Sequence, residues 1–139
     1  MDAKTNPLVR VFNLIGLFLF SGFAYLQFND ATQYDNHDPW IWIVLYAIAA
    51  LFNAWALLGQ VQKESLLLWC GFSLGALLFR MQDDKGNLHL DWISPSAYWN
   101  ESNQMVQQTN ESGGLVIVLL WAVLQLYLNR KKRQYGSYR

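Results

Sequence analysis

Charge is what this sequence has least of. Charged residues make up 14% of it, against roughly 25% in ordinary soluble domains. Acids and bases number ten each, for a formal net charge of zero, so the balance gives no electrostatic case for nucleic-acid binding. There is one cysteine, Cys70, which excludes an intrachain disulfide, and no CxxC or Cys/His spacing suggests a metal. Inside an apolar stretch, Cys70 reads as a small buried hydrophobe. No acidic residue stands in the middle of any apolar stretch. Proton-coupled transporters generally place a carboxylate or histidine at membrane depth, so the comparison that size invites, a small four-helix multidrug exporter, loses its main support.

What the sequence does have is apolar surface. Hydrophobic residues make up 53% of 139 residues, one domain's length, and they fall into four blocks. The blocks predict an all-α, polytopic membrane protein: a single four-helix transmembrane domain over 1–139. Helices are expected over about 8–28, 40–58, 65–80 and 113–129, with a longer outer loop between the third and fourth and a cytoplasmic basic tail, 130–139. A helix needs roughly 20 residues to cross the hydrocarbon layer. The first two blocks meet this; the third and fourth need their flanks, with Arg80 and Arg130 snorkelling to the interface. The competing reading is a soluble helical bundle. It requires a polar face at helical spacing, whereas the second block offers only Asn53 and the fourth only Gln125. The N-terminal stretch resembles a signal peptide in having Lys4 and Arg10 before an apolar run. That run is too long and ends in Tyr25-Leu26-Gln27-Phe28, without a small-residue cleavage site, so a retained first helix is expected.

The charges sort by side. Lys4, Arg10, Lys63, Arg130, Lys131, Lys132, Arg133 and Arg139 lie at the N-terminus, the 59–65 turn and the tail, whereas the other two connections hold only Arg80 and Lys85. Basic flanks stay in the cytoplasm. The expected location is therefore a membrane, multi-pass, with both termini cytoplasmic, in a bacterial inner membrane. Trp40 and Trp42 at the outer entrance of the second helix, and Trp69 near the inner end of the third, are placed like an interfacial aromatic belt. Gly71 and Gly75, Ala47, Ala50 and Ala54, and Gly16 and Gly22 offer small faces for close helix contact. Asn13, Ser21, Asn53, Ser73 and Gln125 read as interhelical hydrogen-bond partners, worth about 1 kcal/mol each at best.

Ionisable groups converge on the outer side. Asp38-Pro39 ahead of Trp40 is a helix-start signature, with Asp38 as the cap. Gln27, Asn29 and Asp30 close the first helix. Asn110, Glu111 and Ser112 open the fourth, where Glu111 suits the positive helix end. The candidate outer polar cluster is Gln27, Asn29, Asp30, Asp38, Trp40 and Glu111. No catalytic residue and no metal site is expected; His37 and Asp35 are weak metal candidates, since neighbouring residues rarely share one centre. In the long loop, Asp84-Lys85-Gly86-Asn87 signals a turn and 88–92 alternates like a short strand. Trp92, Ile93, Tyr98 and Trp99 would pack on the bundle as a lid, and His89 reads as structural. Asn100-Glu101-Ser102 and Asn110-Glu111-Ser112 match the glycosylation pattern, which matters only in a secretory pathway.

Gln27-x-Asn29-Asp30, then Asp38-Pro39-Trp40 with Trp42 and Tyr46, then Asn110-Glu111-Ser112-x-Gly114-Leu115, resembles the transmembrane protein 220 family. The resemblance implies a small four-helix membrane protein and brings no biochemical activity with it. The sequence departs from the family in two places. Seven residues, 31–37, separate Asn29-Asp30 from Asp38-Pro39-Trp40, and Asn110 stands where a basic residue is common. The reading for function is a non-catalytic accessory or structural membrane subunit, or a small binding module. The alternative is a binder or transporter of a small solute or cation through an outer polar pocket. A membrane enzyme built on the outer carboxylates is disfavoured, because no spacing is diagnostic of a reaction. No cofactor is expected. The expected partners are the lipid bilayer and a further copy or larger membrane complex, with no nucleic acid.

Overall fold

A computed structural model describes residues 6–29, 38–102 and 106–136, the stretch 129–136 by backbone alone. Among the described residues there are four α-helices: α1 (Pro7–Leu26), α2 (Pro39–Leu57), α3 (Lys63–Arg80) and α4 (Gln107–Gly136). Short 3-10 turns lie at Gln27–Asn29, Asp91–Ile93 and Pro95–Tyr98. Among the described residues there is no strand. The alternating stretch 88–92 contributes one antiparallel bridge, Gln82 to Leu88, with the His89 amide on the Met81 carbonyl at 2.8 Å, and then coils into the Asp91–Ile93 turn, so the expected hairpin is reduced to a single bridge.

The start of α1 and the end of α2 have local causes. Asn6 accepts a hydrogen bond from the Leu8 amide at 2.9 Å, and Pro7 fills the first helical position of α1, where no amide is needed. α2 ends at Gly59, whose φ of 73° is the left-handed conformation that lets a chain turn off a helix. The Gln60 amide then reaches back to the Trp55 carbonyl at 2.8 Å. α4 begins at Gln107, ahead of Gly113, where the apolar run begins. Asn110, Glu111 and Ser112 therefore lie inside the helix instead of opening it.

Among the described residues, three helical stretches are long and apolar enough to cross a membrane: Pro7–Asn29, Pro39–Leu57 and Gln107–Leu128. α3 holds Lys63, Glu64 and Arg80 at its ends. Its 18 residues extend over about 27 Å at 1.5 Å per residue. The closest backbone pairings are α1 with α2 and α3 with α4. The two hairpins then meet through larger side chains, such as Phe52 of α2 stacked on Trp69 of α3 at 5.7 Å. Trp69 and Trp42 are both buried, so neither belongs to an interfacial belt. Trp40 does stand out from the bundle, 69% exposed and edge-on to Phe28 at 6.0 Å.

The buried residues run in stripes. On α4 they include Glu111, Leu115, Val118, Ala122 and Gln125, alternating four and three apart, the spacing of a helix packed into its neighbours at a shallow angle. On α1 the stripe is Val9, Asn13, Gly16 and Phe20. Large apolar residues also lie off the stripes: Phe18, Leu68 and Phe79 are each more than 70% exposed. In water that surface would be an association site; in a bilayer it is the lipid face.

At the end where α1 begins and α4 finishes, called here the termini end, the stripes meet in an amide network. Gln125 Nε2 donates to Asn13 Oδ1 at 2.8 Å and to Asn53 Oδ1 at 3.1 Å. Trp121 Nε1 donates to the same Asn53 oxygen at 2.9 Å. Asn13 and Asn53 turn their own amides to the carbonyls of Val9 and Ala49. Three of the expected interhelical partners thus form one network, in a medium that supplies no water to replace them. Ser73 is buried without a hydrogen bond. Gly16 makes room for the network, because a Cβ there would run into the Asn53 amide and the Trp121 indole. Gly71, Gly75 and Gly22 have open space before them, so the Gly71–Gly75 pair takes no part in packing within the chain.

Gly16→Ala is therefore expected to destabilise the fold by about 1–3 kcal/mol, the usual cost of overpacking. Gly75→Ala should stay within about 0.5 kcal/mol of the parent, as substitutions away from packed sites do. Reversible unfolding in mixed micelles of increasing denaturing detergent compares the two; equal losses would contradict the packing described.

Candidate functional site

The opposite end, where the chain makes its two longer connections, is the loop end. Its organising group is Glu111, one turn inside α4 and 6% exposed. Trp42 Nε1 from α2 and Gln107 Nε2 from the turn above both donate to Glu111 Oε1 at 2.9 Å. Arg80, the last residue of α3, donates to Glu111 Oε2 through its guanidinium. The same guanidinium lies 3.8 Å from Asp38 Oδ2. Gln107 Nε2 also faces Asp38 Oδ1 at 3.3 Å. Gln108 Nε2 donates to the Arg80 carbonyl at 3.0 Å, satisfying the end of α3. One cation from α3 thus answers two carboxylates, from α4 and from the start of α2. A carboxylate taken out of water requires such a partner.

Beside this clamp lies a cavity of about 370 Å³, bounded by α1, α2, α4 and the long loop. Phe23 and Leu26, Tyr46, Val116 and Ile117, Trp92 and Tyr98 supply most of its wall; its polar contribution comes from Gln27 and Asn110. Gly113 and Gly114 line it as well, and there side chains crowd the helix. A Cβ at Gly113 would meet Tyr98 Oη at 2.6 Å, and one at Gly114 would run into Tyr46. Tyr98 is fixed by donating to the Trp92 carbonyl at 2.7 Å, and Asn110 donates to the Val106 carbonyl at 2.9 Å. Phe23 and Tyr46 meet edge to face at 5.3 Å. None of Asp38, Arg80 and Glu111 lines this cavity.

Beyond the bundle, the 83–87 turn is a separate polar unit. Asp83 accepts from the Lys85 and Asn87 amides at 2.8 Å and lies 3.3 Å from His89 Nε2. The Asn87 side chain and backbone hold its carboxyl well below the usual carboxylate range, at about 2. The turn keeps that charge through neutral and mildly acidic solution and loses it only as pH falls through that value. His89 accordingly has a structural partner.

The structure divides the six residues of the expected outer cluster. Asp38 and Glu111 come together around Arg80. Asp38 stands at the N-cap position of α2, but its carboxylate bonds no amide of that helix; the pull of Arg80 and Gln107 turns it away from capping. Gln27 lines the cavity instead, Asn29 ends the 3-10 turn on the exposed surface, and Trp40 lies outside both. Asp30, Asp35 and His37 fall outside the described residues. No group of three metal-binding side chains occurs among the described residues. Sequence reasoning missed Trp42, Gln107 and above all Arg80, which was expected to snorkel to the headgroups. A cation ending the third helix and a carboxylate starting the fourth carried that signal, visible only once the two helices are paired. Trp92 and Tyr98 do cover the bundle, half-buried, whereas Ile93 and Trp99 are exposed.

A family model described as transmembrane family 220, helix, matches residues 19–127. The chain belongs to this family. Comparison with curated proteins and with solved structures finds no match. Within the matched span lie Asp38, Arg80 and Glu111, so this member of transmembrane family 220 has the whole clamp inside its family region.

Removing one partner of a fully buried ion pair costs about 3–5 kcal/mol, and of an exposed pair under about 1 kcal/mol. With Arg80 31% and Glu111 6% exposed, Arg80→Met is expected to cost about 2 kcal/mol, between those limits. The double variant Arg80→Met with Glu111→Met should recover part of the loss, because the buried carboxylate is no longer left unpaired and Asp38, 33% exposed, keeps its contact with water. Unfolding measurements on the two variants give the answer; a double variant worse than the single would show that the pair stabilises the fold outright.

Proposed function

We propose that the chain is a non-catalytic integral membrane protein that acts as a small binding module, holding one uncharged amphipathic molecule in the loop-end cavity. One observation carries this reading. Asp38 and Glu111 are both matched to Arg80, while the cavity beside them is walled by aromatic and aliphatic side chains with only uncharged polar groups. Its volume falls within the roughly 300–1,000 Å³ of small-molecule sites. A cation binder or transporter using Asp38 and Glu111 would first have to displace an arginine already in contact with both.

A thermal-shift screen on the purified protein in mild detergent separates the two readings. Uncharged amphiphiles should raise the melting temperature, and Ile117→Trp, which fills the cavity, should abolish the rise. Magnesium and calcium should leave it unchanged. Stabilisation by a cation that disappears in Asp38→Asn would move the function to the charged cluster and overturn the proposal.

The proposal includes an orientation with both termini in the cytoplasm. It is supported by the eight-to-two division of basic residues between the termini end and the loop end, since basic flanks resist translocation. With Cys70→Ser as background, a cysteine at Ser137 should react with an impermeant maleimide only after the cells are opened, and one at Ser102 in intact cells. The reverse pattern would overturn the orientation.

A further inference from the structure

We propose that the occupant of the loop-end cavity is a neutral lipid with hydroxyl groups on its head, of the monoacylglycerol kind, seated with its head toward the loop end and its tail in the seam between α1 and α4. This rests on the binding-module reading and gives it a ligand class.

The seat is graded from polar to apolar along the bundle. Gln27 directly follows α1 and Asn110 lies in the first turn of α4, so both amides stand at the loop-end extremity of the cavity. Phe23 lies one turn deeper than Gln27, and Ile117 two turns deeper than Asn110, about 10 Å at 1.5 Å per residue. An amphiphile in the adjoining half of a bilayer has the same polarity order, head outward and tail inward.

The path of the tail follows from the helix pairing. α1 is packed chiefly on α2 and α4 on α3, so the cavity occupies a seam between two hairpins. Its rim includes Leu26 on α1 and Ile117 on α4, 59% and 40% exposed. Both lie in stretches apolar enough to cross the membrane, so a tail in the seam stays among apolar neighbours.

Hydrogen bonding selects the head. The Asn110 Nδ2 is turned to the Val106 and Tyr98 carbonyls, at 2.9 and 3.4 Å. Its Oδ1 holds no hydrogen bond among the described residues, and neither does the half-buried Gln27 amide. An amide oxygen only accepts, so a guest that satisfies Asn110 has to donate. Gln27 has both a donor and an acceptor to satisfy. A hydroxyl meets both demands, whereas a simple ester, which only accepts, leaves the Asn110 oxygen unmet. A charged head would lose its hydration and find no counter-charge on these walls.

The test uses the full chain in phosphatidylcholine nanodiscs, which keeps sugar-headed detergents from competing. The probe is 1-decanoylglycerol. Methyl decanoate is the control, with the same acyl tail and no O–H. Melting temperature is followed by tryptophan fluorescence against the probe concentration in the bilayer. The monoglyceride should give a saturable rise, and the methyl ester should need about tenfold more for half-saturation, the effect of losing one hydrogen bond. Asn110→Leu should bring the monoglyceride to the level of the methyl ester and leave the methyl ester unchanged; Gln27→Leu replaces it if that variant does not fold. Ile117→Trp, or Val116→Phe in its place, should abolish both responses. Equal half-saturation by the two probes, lost on filling the cavity, would overturn the hydroxyl head and leave the binding-module reading standing. A rise that survives cavity filling would place the probe elsewhere and overturn the assignment. No response to either probe, nor to any uncharged amphiphile in the wider screen, would overturn both readings.

Discussion

Glu111 is a carboxylate on the buried face of a helix that is otherwise fit for a bilayer, and the loop end is arranged around keeping it satisfied. Water cannot reach it, so its oxygens take donors from three helices: the Trp42 indole, the Gln107 amide and the Arg80 guanidinium. Each donor fixes something else. Trp42 sets the rotation of α2 and brings Tyr46, one turn on, against Gly114. Arg80 ties the end of α3 to α4 and gathers in Asp38, joining the start of α2 to the other hairpin. The net worth of such a cluster against an apolar replacement is small, but its directionality is large. Hydrocarbon packing alone leaves a helix free to slide and rotate; three fixed donors around one carboxylate do not.

The termini end reaches the same result without charge. Gln125 lies four turns further along the stripe that begins at Glu111, and its amide meets Asn13 and Asn53. Polar side chains at both ends of one stripe pin α4 at two points, so its face toward the bundle is settled although its surface is apolar all round. Interhelical hydrogen bonds in bilayers average only about 0.6 kcal/mol. Their contribution here is to register, and Gly16 is the small residue that lets the backbone come close enough for them to form.

That division explains what could be read from the sequence. Four apolar blocks interrupted by polar connections announce four helices, because a membrane span is a matter of length and hydropathy. The buried polar residues were visible as interruptions in those blocks, and three of them do pair across helices. The stripe of α4 was not visible. Hydrophobic periodicity tells a buried face from a wet one, and lipid-facing Leu120 and buried Val118 are equally apolar. For the same reason Trp42 and Trp69 read as interfacial anchors: an indole suits a headgroup layer and a core alike, and only the partners, Glu111 for one and Phe52 for the other, decide. The start of α4 was obscured because Gln107, Gln108 and Thr109 carry no hydropathy signal. Asp38 was mistaken for a cap because capping is a local inference, while Arg80, which draws it away, comes from a helix far along the chain.

The cavity is a consequence of the same arrangement. Arg80 and Trp42 hold α2, α3 and α4 together on one side of the loop end, whereas α1 packs chiefly on α2. The two glycines there, Gly113 and Gly114, already have the rings of Tyr98 and Tyr46 against them, so larger residues at these positions would displace the rings that form the wall instead of closing the seam. Tyr98 in turn is fastened to the loop through the Trp92 carbonyl, which keeps the roof in place over a gap the helices leave open. At the termini end Asn13 and Gln125 join α1 to α4. At the loop end the seam is walled with aromatic and aliphatic side chains and the uncharged amides of Gln27 and Asn110.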